Sequence, residues 1–284
     1  MRTASVAVIG GGVMGASVAY HLAARGWRDV VVLDRGAGPG QGSTGRATGG
    51  FRAQYATAIN VRLSLLARQK LLRFTDEVGV DPGYRPCGYL FLTERQETLD
   101  ALLQAQAMQR ALGVDDARRV TVDEALGINP AIAAEGLVGG VYCASDGFIR
   151  PLEMLRGYTE AARRLGVRFE YGAAVRGIRV RDGRVVGVRT DAGEVGAGAV
   201  VNAAGAWAGK VAAMAGVDLP VVPLRRQVAV TEPFAALPEC MPLTIFVEAE
   251  FHLRVRDGRV VMLWSDQPNS ADPFDTTFDE AWLP

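Results

Sequence analysis

The chain lacks any excess of one charge. It contains 31 basic and 31 acidic residues among 284, so its formal net charge at neutral pH is zero. Such a balance provides neither the basic surface that binds nucleic acid nor an acidic solvated tail. We therefore expect no nucleic-acid partner.

Cysteine is also scarce. Cys87, Cys143 and Cys240 are odd in number, lie far apart in the sequence and form no CxxC pair. This pattern argues against a disulfide framework and against a zinc site, and we predict no bound metal. Because unpaired cysteines are typical of reducing compartments, we expect the protein to be cytoplasmic.

The sequence also lacks a convincing membrane segment. Residues 6–24 contain no charged side chain, which makes them the candidate for an anchor or a signal sequence. A spanning helix needs about 20 mostly apolar residues, whereas this run holds three consecutive glycines and ends with Tyr20 and His21. No basic region beyond Arg2 and no cleavage site accompany it, so we predict no transmembrane segment.

What the sequence does contain is concentrated at its N-terminus. An apolar run at residues 6–9 predicts a strand that enters the glycine-rich residues 10–15, and an amphipathic stretch continues to Gly26. A second apolar run at residues 30–33 ends on Asp34. Strand, glycine turn, helix, strand and terminal acid follow the order of a dinucleotide-binding βαβ unit.

Each special residue of this unit has a physical role. Gly10 permits a tight turn, Gly12 lets the backbone approach a pyrophosphate, and Gly15 allows the helix to pack on the strand. The start of the helix offers free N–H groups and partial positive charge to phosphates. The Asp34 carboxylate is placed to bind ribose hydroxyls. The pattern predicts nucleotide binding.

A second glycine-rich segment follows almost at once. Residues 42–52 read GSTGRATGGFR, and a nicotinamide-dependent dehydrogenase has no obvious use for them. Together the two segments narrow the prediction from any nucleotide-binding protein to a flavoenzyme.

The rest of the chain alternates between two kinds of element. Residues 55–78 predict a helix whose apolar face would consist of Ile59, Leu63, Leu66, Ala67, Phe74 and Val78. Asp182-Gly183 predicts a hairpin between residues 175–181 and 184–190, and residues 220–231 resemble a strand. We predict one domain from residues 1–83 and 147–218 and a second, sheet-rich domain from residues 84–146 and 219–284.

The motifs at residues 10–15, 42–52 and 200–207 together resemble the D-amino-acid oxidase superfamily of FAD-dependent oxidoreductases. The similarity covers the whole chain and is greatest to the branch of sarcosine oxidase, dimethylglycine dehydrogenase and the proline dehydrogenase β-subunit. It implies an α/β fold, in which a Rossmann-like FAD-binding domain of the glutathione-reductase type is interleaved with a sheet-rich α+β substrate domain. The first predicted domain would then bind FAD and the second the substrate.

The resemblance also implies the residues that bind FAD. In such enzymes the segment that matches residues 43–50 wraps the pyrophosphate and passes under the isoalloxazine ring, and the position of Val175 meets the adenine. Arg46 would offset phosphate charge or else lie solvated on the surface. The cofactor-binding residues carried over are Gly10, Gly12, Val13, Met14, Gly15, Asp34, Arg35, Gly42, Ser43, Thr44, Arg46, Ala47, Thr48, Gly49, Gly50, Val175, Ala203, Ala204, Gly205 and Trp207.

Arg52 is the principal candidate for substrate binding. It matches an arginine that grips the substrate carboxylate in the sarcosine oxidase relatives, and a guanidinium fork suits that task. The alternative for Arg52 is an ion pair at the domain junction. His252 and Arg254 alternate along a predicted strand and share one face, either towards the substrate or as an exposed rim, which we favour.

The resemblance implies oxidation of a secondary amine or amino acid to an imine, with hydride transfer to flavin N5. Sarcosine, dimethylglycine and proline represent the substrate class, and the electrons would pass to oxygen, a quinone or another flavoprotein. No catalytic side chain is identified, because a flavin itself accepts the hydride.

Relatives continue well beyond the position of Pro284, with a segment that closes over the flavin. The apolar residues 281–284 therefore suggest either a fragment or a site that a partner chain completes. Two alternatives follow, a noncatalytic or partner-dependent FAD-binding subunit and, ranked lower, an NAD-dependent dehydrogenase.

Overall fold

The computed structural model describes residues 2–264 and 272–283. The chain divides into two compact units. Unit 1 comprises Met1–Ala47, Phe74–Pro82 and Arg150–Leu224, and unit 2 comprises Thr48–Arg73, Gly83–Ile149 and Arg225–Pro284.

The secondary-structure elements are numbered along the chain. The strands are β1 (Arg2–Ile9), β2 (Val30–Leu33), β3 (Gly50–Phe51), β4 (Tyr89–Thr93), β5 (Ala117–Val120), β6 (Gly139–Cys143), β7 (Gly147–Phe148), β8 (Arg168–Glu170), β9 (Val175–Arg181), β10 (Arg184–Thr190), β11 (Gly193–Asn202), β12 (Ala229–Val230), β13 (Leu243–Phe246), β14 (Phe251–Arg256) and β15 (Arg259–Leu263). The helices are α1 (Val13–Ala24), α2 (Ser43–Arg46), α3 (Ala58–Leu72), α4 (Phe74–Val78), α5 (Gln96–Ala111), α6 (Val122–Ile128), α7 (Pro151–Arg164) and α8 (Ala208–Ala213), with 3-10 helices at Gly205–Trp207 and Glu280–Trp282.

Residues 48–73 belong to the compact unit 2, whereas the sequence predicted them to lie in the FAD-binding domain. Pairing within unit 2 explains the grouping, because β3 pairs with β7 and the amide of Ile149 donates to the carbonyl of Gly49. The assignment of the two predicted domains to FAD and to substrate stays a prediction.

Unit 1 is built on a six-stranded sheet of order β8-β2-β1-β11-β10-β9. Strands β8, β2, β1 and β11 are parallel, and the β9–β10 hairpin continues the sheet in antiparallel fashion. The apolar run of β2 is buried throughout, as expected for a strand covered on both faces. On one face α1 and α7 pack through small side chains, which include Ala16, Ala19 and Ala161. The predicted α/β class is confirmed.

The predicted hairpin in unit 1 is also confirmed. Strands β9 and β10 pair antiparallel, with Arg181 opposite Arg184. Asp182 and Gly183 have φ values of 51° and 71°, the positive angles that a two-residue type I′ turn requires.

Unit 2 contains a seven-stranded sheet of order β12-β15-β14-β13-β4-β6-β5. Phe91 of β4 lies opposite Val141 of β6 and Ile245 of β13, and Ile245 lies opposite His252 of β14. Because directly opposed residues share a face of the sheet, these four side chains form one row. The row provides part of a binding surface described below.

The helix predicted over residues 55–78 is wrong in its extent, and its predicted buried face is confirmed only at Phe74 and Val78. The structure has α3 and α4, with a break at Arg73. Ile59, Leu63 and Leu66 are 61%, 56% and 54% exposed. Val61 instead packs into the core, because an apolar pattern does not by itself decide which side of a helix meets the sheet. The strand predicted over residues 220–231 is likewise reduced to β12.

The predicted absence of a disulfide framework is wrong, since one disulfide is present. Cys87 and Cys240 form a disulfide within unit 2, and Cys143 is a buried free thiol. The pairing joins residues 153 positions apart, a separation that no local spacing could indicate. The prediction of a reducing, cytoplasmic location was based on unpaired cysteines, which this disulfide contradicts. The location stays a prediction. Across the described ranges, no helix has the length and apolar character needed to cross a bilayer.

Candidate functional site

Three segments predicted to bind the cofactor meet at one edge of the unit 1 sheet. The parallel strands β1, β2 and β11 are neighbours, so their carboxyl ends lie side by side. These ends lead into the turn at residues 10–15, into Asp34 and into Ala203, respectively. The crevice beyond the carboxyl ends of parallel strands is where ligands bind in open α/β sheets.

The first turn has no room for side chains at two of its glycines. Gly10 has φ of +108°, and a Cβ there would lie 2.3 Å from the carbonyl oxygen of Ala203. A Cβ on Gly15 would lie 1.8 Å from the Gly10 oxygen. Gly12 caps α1 without a side-chain hydrogen bond of its own. The first amide of the helix, that of Val13, is bonded to Thr44, and the amides that follow it in the first turn are left to a ligand. Met14, in the first turn of α1, is exposed.

Asp34 is held in place by main-chain donors. Its Oδ2 accepts a hydrogen bond from the amide of Gly11 at 2.6 Å, and its Oδ1 accepts one from Gly36 at 2.7 Å. Each carboxylate oxygen retains capacity for a further donor. The geometry therefore fixes the carboxylate while leaving it able to bind hydroxyls.

The second glycine-rich segment begins with α2, whose N-cap is Gly42. The Thr44 hydroxyl accepts a hydrogen bond from the amide of Val13 at 3.1 Å, which ties α2 to the start of α1. The Arg46 guanidinium donates to the carbonyls of Gln41 and Gly42. Arg46 thus stabilises its own turn, and its contact with phosphate stays a prediction, as do the roles of its exposed neighbours Ser43 and Ala47.

The third segment, residues 203–207, follows β11 at the same edge of the sheet. The amide of Ala203 donates to the carbonyl of Ile9 at 2.8 Å. Ala204 leads into Gly205, whose φ is +55°. The Arg35 guanidinium lies 3.5 Å from the centre of the Trp207 ring, a cation–π contact. These residues belong to unit 1, as does Val175 at the start of β9, and their contacts with FAD stay a prediction.

Tyr171, which was not predicted from the sequence, lies in the same region. It follows β8, which is parallel to β2, so the same rule of strand ends could have found it. A Cβ on Gly11 would lie 3.4 Å from Tyr171 Cε1. Its hydroxyl is buried and has no hydrogen-bond partner among the described residues. Burial, opposed by the charge of Arg163, raises the pKa of Tyr171.

These residues fit the ADP portion of FAD. A glycine cradle that a Cβ would fill, an open helix start and an oriented carboxylate are the elements that pyrophosphate and ribose need. Residues 10–15, Asp34 and residues 203–205 would hold that portion.

The remaining predicted cofactor residues belong to unit 2. The carbonyl of Thr48 accepts a hydrogen bond from Arg254 Nη1 at 2.8 Å. Gly49 has φ of +78°, and a Cβ on Gly50 would lie 1.8 Å from the Tyr89 hydroxyl oxygen. The backbone here is therefore closely fitted, and its contact with flavin stays a prediction.

Arg52 lies over aromatic rings rather than beside a carboxylate. Its Cζ is 4.7 Å from the Tyr55 ring centre and 5.3 Å from that of Phe91. Among residues 2–264 and 272–283, no carboxylate forms an ion pair with it. The alternative of an ion pair therefore has no support in the described part of the chain. The guanidinium keeps its donors for an anionic ligand.

Asp146, which sequence analysis missed, fixes the backbone that follows Arg52. It is fully buried, and its Oδ1 accepts a hydrogen bond from the Ala53 amide at 2.7 Å. Its Oδ2 accepts one from Gln54 Nε2 at 3.2 Å. Burial raises the pKa of Asp146 to about 6 despite these donors.

A polar network holds the loop that carries Asp146. Asp116 accepts hydrogen bonds from the amide of Ser145 at 2.5 Å and from its hydroxyl at 2.9 Å. Arg68 donates to the Ser145 hydroxyl, and Tyr84 donates to its carbonyl. Hydrogen bonds from Ser145 lower the pKa of Asp116 against the effect of burial.

The expectation of an exposed rim at His252 and Arg254 is wrong. Arg254 is only 5% exposed, and its guanidinium stacks 3.3 Å from the Phe148 ring centre. Burial lowers the pKa of Arg254 to about 10. His252 is half-buried, and burial followed by the charge of Arg52 lowers its pKa. Arg254 supports the backbone at Thr48, and substrate contact by either residue stays a prediction.

Arg52 also borders a cavity of about 420 Å³ in unit 2. Its wall includes the Phe91 and Val141 side of the sheet, the start of α3 and one side of α5. A second cavity of about 380 Å³ shares Arg52, Tyr55 and Asn60. The larger volume is typical of a site for a small organic ligand.

Known proteins resemble this chain in sequence and in fold. The profile of the DAO family, FAD dependent oxidoreductase, matches residues 5–282. Mitochondrial dimethylglycine dehydrogenase of Rattus norvegicus is 31% identical over 260 residues, which cover 90% of this chain and 30% of that enzyme. The mitochondrial pyruvate dehydrogenase phosphatase regulatory subunit of Mus musculus is 28% identical over 205 residues, or 72% of this chain and 23% of that protein.

The chain thus spans less than a third of the length of these curated relatives. Among solved structures, L-proline dehydrogenase from P. horikoshii superposes with a TM-score of 0.90 at 26% identity, covering 99% of this chain and 74% of the other. The predicted resemblance and the predicted cofactor, FAD, are confirmed, and the NAD alternative is not. The chain belongs to the DAO family of FAD-dependent oxidoreductases.

Proposed function

We propose that the protein oxidises the C–N bond of an amine that carries a carboxylate, such as a secondary amine or amino acid of the sarcosine, dimethylglycine or proline type, to an imine. The observation that carries this proposal is Arg52, a guanidinium in a cavity wall with aromatic contacts and no carboxylate partner in the described residues. A two-pronged donor of this kind binds carboxylates with defined orientation.

Each part of the site has a role in this proposal. Bound FAD would supply the acceptor for the hydride of the amine C–H bond. Arg52 binds and orients the substrate carboxylate, which reduces the entropy lost on reaching the reactive geometry. Asp146 and Gln54 hold the backbone on which Arg52 depends. Burial, followed by the charge of Arg52, lowers the pKa of His252 and so favours its neutral form.

The test uses visible absorbance and anaerobic bleaching of the FAD-reconstituted protein by sarcosine, dimethylglycine or proline. Replacement of Arg52 by Met should raise KM for such amines by 10- to 100-fold, as expected for the loss of a charged hydrogen bond of roughly 1.5–3 kcal/mol. Simple amines without a carboxylate should be affected much less. Equal effects on both classes would rule out the role of Arg52.

A second candidate is a noncatalytic or partner-dependent FAD-binding subunit. Similarity to a protein named as a regulatory subunit favours it. In that case the protein would be yellow, yet no amine would bleach its flavin. The electron acceptor, whether oxygen, a quinone or another flavoprotein, belongs to the same proposal and follows from testing each acceptor with the reduced protein.

A further inference from the structure

A buried carboxylate without a cationic partner holds the backbone next to Arg52. Asp146 is 0% exposed, and its Oδ1 accepts a hydrogen bond from the amide of Ala53 at 2.7 Å. Its Oδ2 accepts one from Gln54 Nε2 at 3.2 Å. Within residues 2–264 and 272–283, no basic side chain forms an ion pair with Asp146. Amide donors of the Arg52 segment therefore stabilise its charge.

Gln54 links Asp146 to the strand that supports Arg52. Gln54 Nε2 also donates to the carbonyl of Tyr89 at 3.1 Å. Tyr89 begins β4, which carries Phe91, and the Arg52 guanidinium lies 5.3 Å from the centre of the Phe91 ring. Both hydrogens of the Gln54 amide are thus used, which fixes its orientation. Through this amide the Arg52 segment is bound to Asp146 and to β4 at once.

This arrangement suits only the ionised form of Asp146. A proton on Oδ2 creates a hydroxyl donor beside the Gln54 amide, which is a donor as well. A half-turn of that amide would offer Oε1 to the hydroxyl, but it would place the same oxygen against the carbonyl of Tyr89. A proton on Oδ1 would compete with the Ala53 amide. Each protonated form therefore weakens or breaks at least one of the three hydrogen bonds.

The neighbours of Asp146 keep their charge between pH 7.5 and pH 5. The titratable groups that act on it are those of Asp116, Cys143, Tyr84 and Tyr89. Burial raises the pKa of Cys143 to about 12 and also raises the pKa of both tyrosines. Hydrogen bonds from Ser145 lower the pKa of Asp116 against the effect of burial. On the side of α3 the charged group is Arg68, which donates to Ser145. Burial raises the pKa of Asp146 to about 6, so Asp146 is the group of this cluster that titrates in that range.

We propose that Asp146 is a positioning residue whose ionised form keeps Arg52 in place to bind a carboxylate, and that protonation of Asp146 weakens this binding. Protonation disturbs the Gln54 amide, and the Arg52 segment then loses its tie to Asp146 or to β4. Carboxylate affinity therefore falls as the pH drops. This inference rests on the proposed function, because it takes Arg52 as the partner of the substrate carboxylate.

His252 is a second group near Arg52 that gains a proton on acidification. Burial, followed by the charge of Arg52, lowers the pKa of His252. Its protonation would add positive charge beside Arg52, which attracts an anion. Loss of the negative charge of Asp146 would by itself also favour an anion. A fall in carboxylate affinity on acidification therefore reports lost positioning, because both changes in charge act in the opposite direction.

The test is the affinity of the FAD-reconstituted protein for methoxyacetate at pH values from 7.5 to 5, followed by the flavin spectrum. This ligand has an ether oxygen in place of the amine nitrogen of sarcosine, so it cannot become an imine, and its carboxylate stays ionised. The dissociation constant of the wild type should rise by about three- to tenfold. About tenfold is the limit, reached if only the ionised fraction of the protein binds.

Asp146→Asn tests the assignment to Asp146. The asparagine amide offers one acceptor and one donor group, as protonated aspartic acid does. The variant should therefore bind methoxyacetate at every pH as weakly as the wild type does at pH 5. Asp116→Asn is the matched control from the same network, and both it and His252→Gln should keep the pH dependence. A merely structural role of Asp146 would lower the free energy of unfolding and leave the pH dependence of binding intact.

Nuclear magnetic resonance of the wild type makes the test independent of how any variant folds. The amide proton of Ala53 is bonded to the Asp146 carboxylate, so its chemical shift should titrate with a midpoint near pH 6. The dissociation constant for methoxyacetate should change with the same midpoint. Different midpoints, or an Ala53 shift that does not titrate, would contradict the coupling.

The outcomes separate the inference from the proposed function. A dissociation constant that stays constant or falls on acidification, or a rise that persists in Asp146→Asn, overturns the inference. No saturable binding of methoxyacetate, or equal affinity in Arg52→Met, overturns the role of Arg52 and the inference with it. The predicted pH dependence without flavin bleaching by any carboxylate-bearing amine overturns the proposed function and leaves the inference standing.

Discussion

At the scale of single residues, the described structure of unit 2 depends on carboxylates that bind main-chain amides. Asp146 and Asp116 both accept such hydrogen bonds, but the pKa of Asp146 is raised to about 6 and that of Asp116 is lowered. Desolvation outweighs the donors at the fully buried Asp146. The two residues should therefore respond in opposite ways to acid.

Asp146→Asn should reveal this difference. The folded protein takes up a proton at Asp146 near pH 6, whereas the unfolded chain does so near the ordinary value of 3.8. Acidification therefore raises the free energy of unfolding of the wild type relative to that of the variant. The increase is about 1.4 kcal/mol between pH 7.5 and pH 5, and about 3 kcal/mol at a pH low enough to protonate Asp146 in the folded and the unfolded state alike. Urea unfolding at the two pH values measures the change.

Asp116→Asn is the matched control, since a lowered pKa confers stability that is lost only below the ordinary value of 3.8. The difference in the free energy of unfolding between Asp116→Asn and the wild type should stay constant between pH 7.5 and pH 5. A constant difference for Asp146→Asn would contradict the raised pKa.

At the scale of elements, the start of α1 depends on a glycine that no other residue can replace without movement. A Cβ on Gly15 would overlap the Gly10 carbonyl, and in the same way a Cβ on Gly45 would lie 2.0 Å from the carbonyl oxygen of Gly40. In both places a helix start packs directly on the preceding turn.

Gly15→Ala should push α1 away from the turn. We expect FAD binding to weaken at least tenfold and the free energy of unfolding to fall by about 1–3 kcal/mol, the usual cost of overpacking. Flavin fluorescence titration and urea unfolding measure the two effects. Gly127→Ala in α6 is the control, because a Cβ there has no neighbour within 4 Å. This control should be neutral or slightly stabilising, and equal losses in both variants would refute the packing argument.

The separation of contacting residues along the chain explains what the sequence could predict. The unit 1 turn and Asp34 follow from short-range spacing, since Gly10, Gly15 and Asp34 lie within one βαβ motif. Asp146 lies 93 residues from Ala53, and Gln54 lies 35 residues from Tyr89. No periodicity links such partners, so Asp146 and Gln54 emerged only from the fold. The exposure of Leu63 shows the same limit for a helix face.

At the scale of the whole molecule, the Cys87–Cys240 disulfide closes a long loop in unit 2. Loop-closure entropy for a separation of 153 residues predicts a stabilisation of about 5 kcal/mol. Addition of dithiothreitol should therefore lower the urea midpoint of unit 2. The double variant Cys87→Ser/Cys240→Ser should unfold at the urea midpoint of the dithiothreitol-treated wild type, whether or not reductant is added. A wild-type urea midpoint that stays unchanged when dithiothreitol is added would contradict the prediction.

The division into units has a consequence for synthesis on the ribosome. Each unit is assembled from three separate stretches of chain. Strand β1 cannot complete its pairing until β11 has emerged, and β4 cannot pair with β13 until residue 246 has emerged. Long-range pairing of this kind is slow and leaves strand edges open. Nascent chains shorter than about 200 residues should therefore depend on chaperones, whichever unit they begin to build.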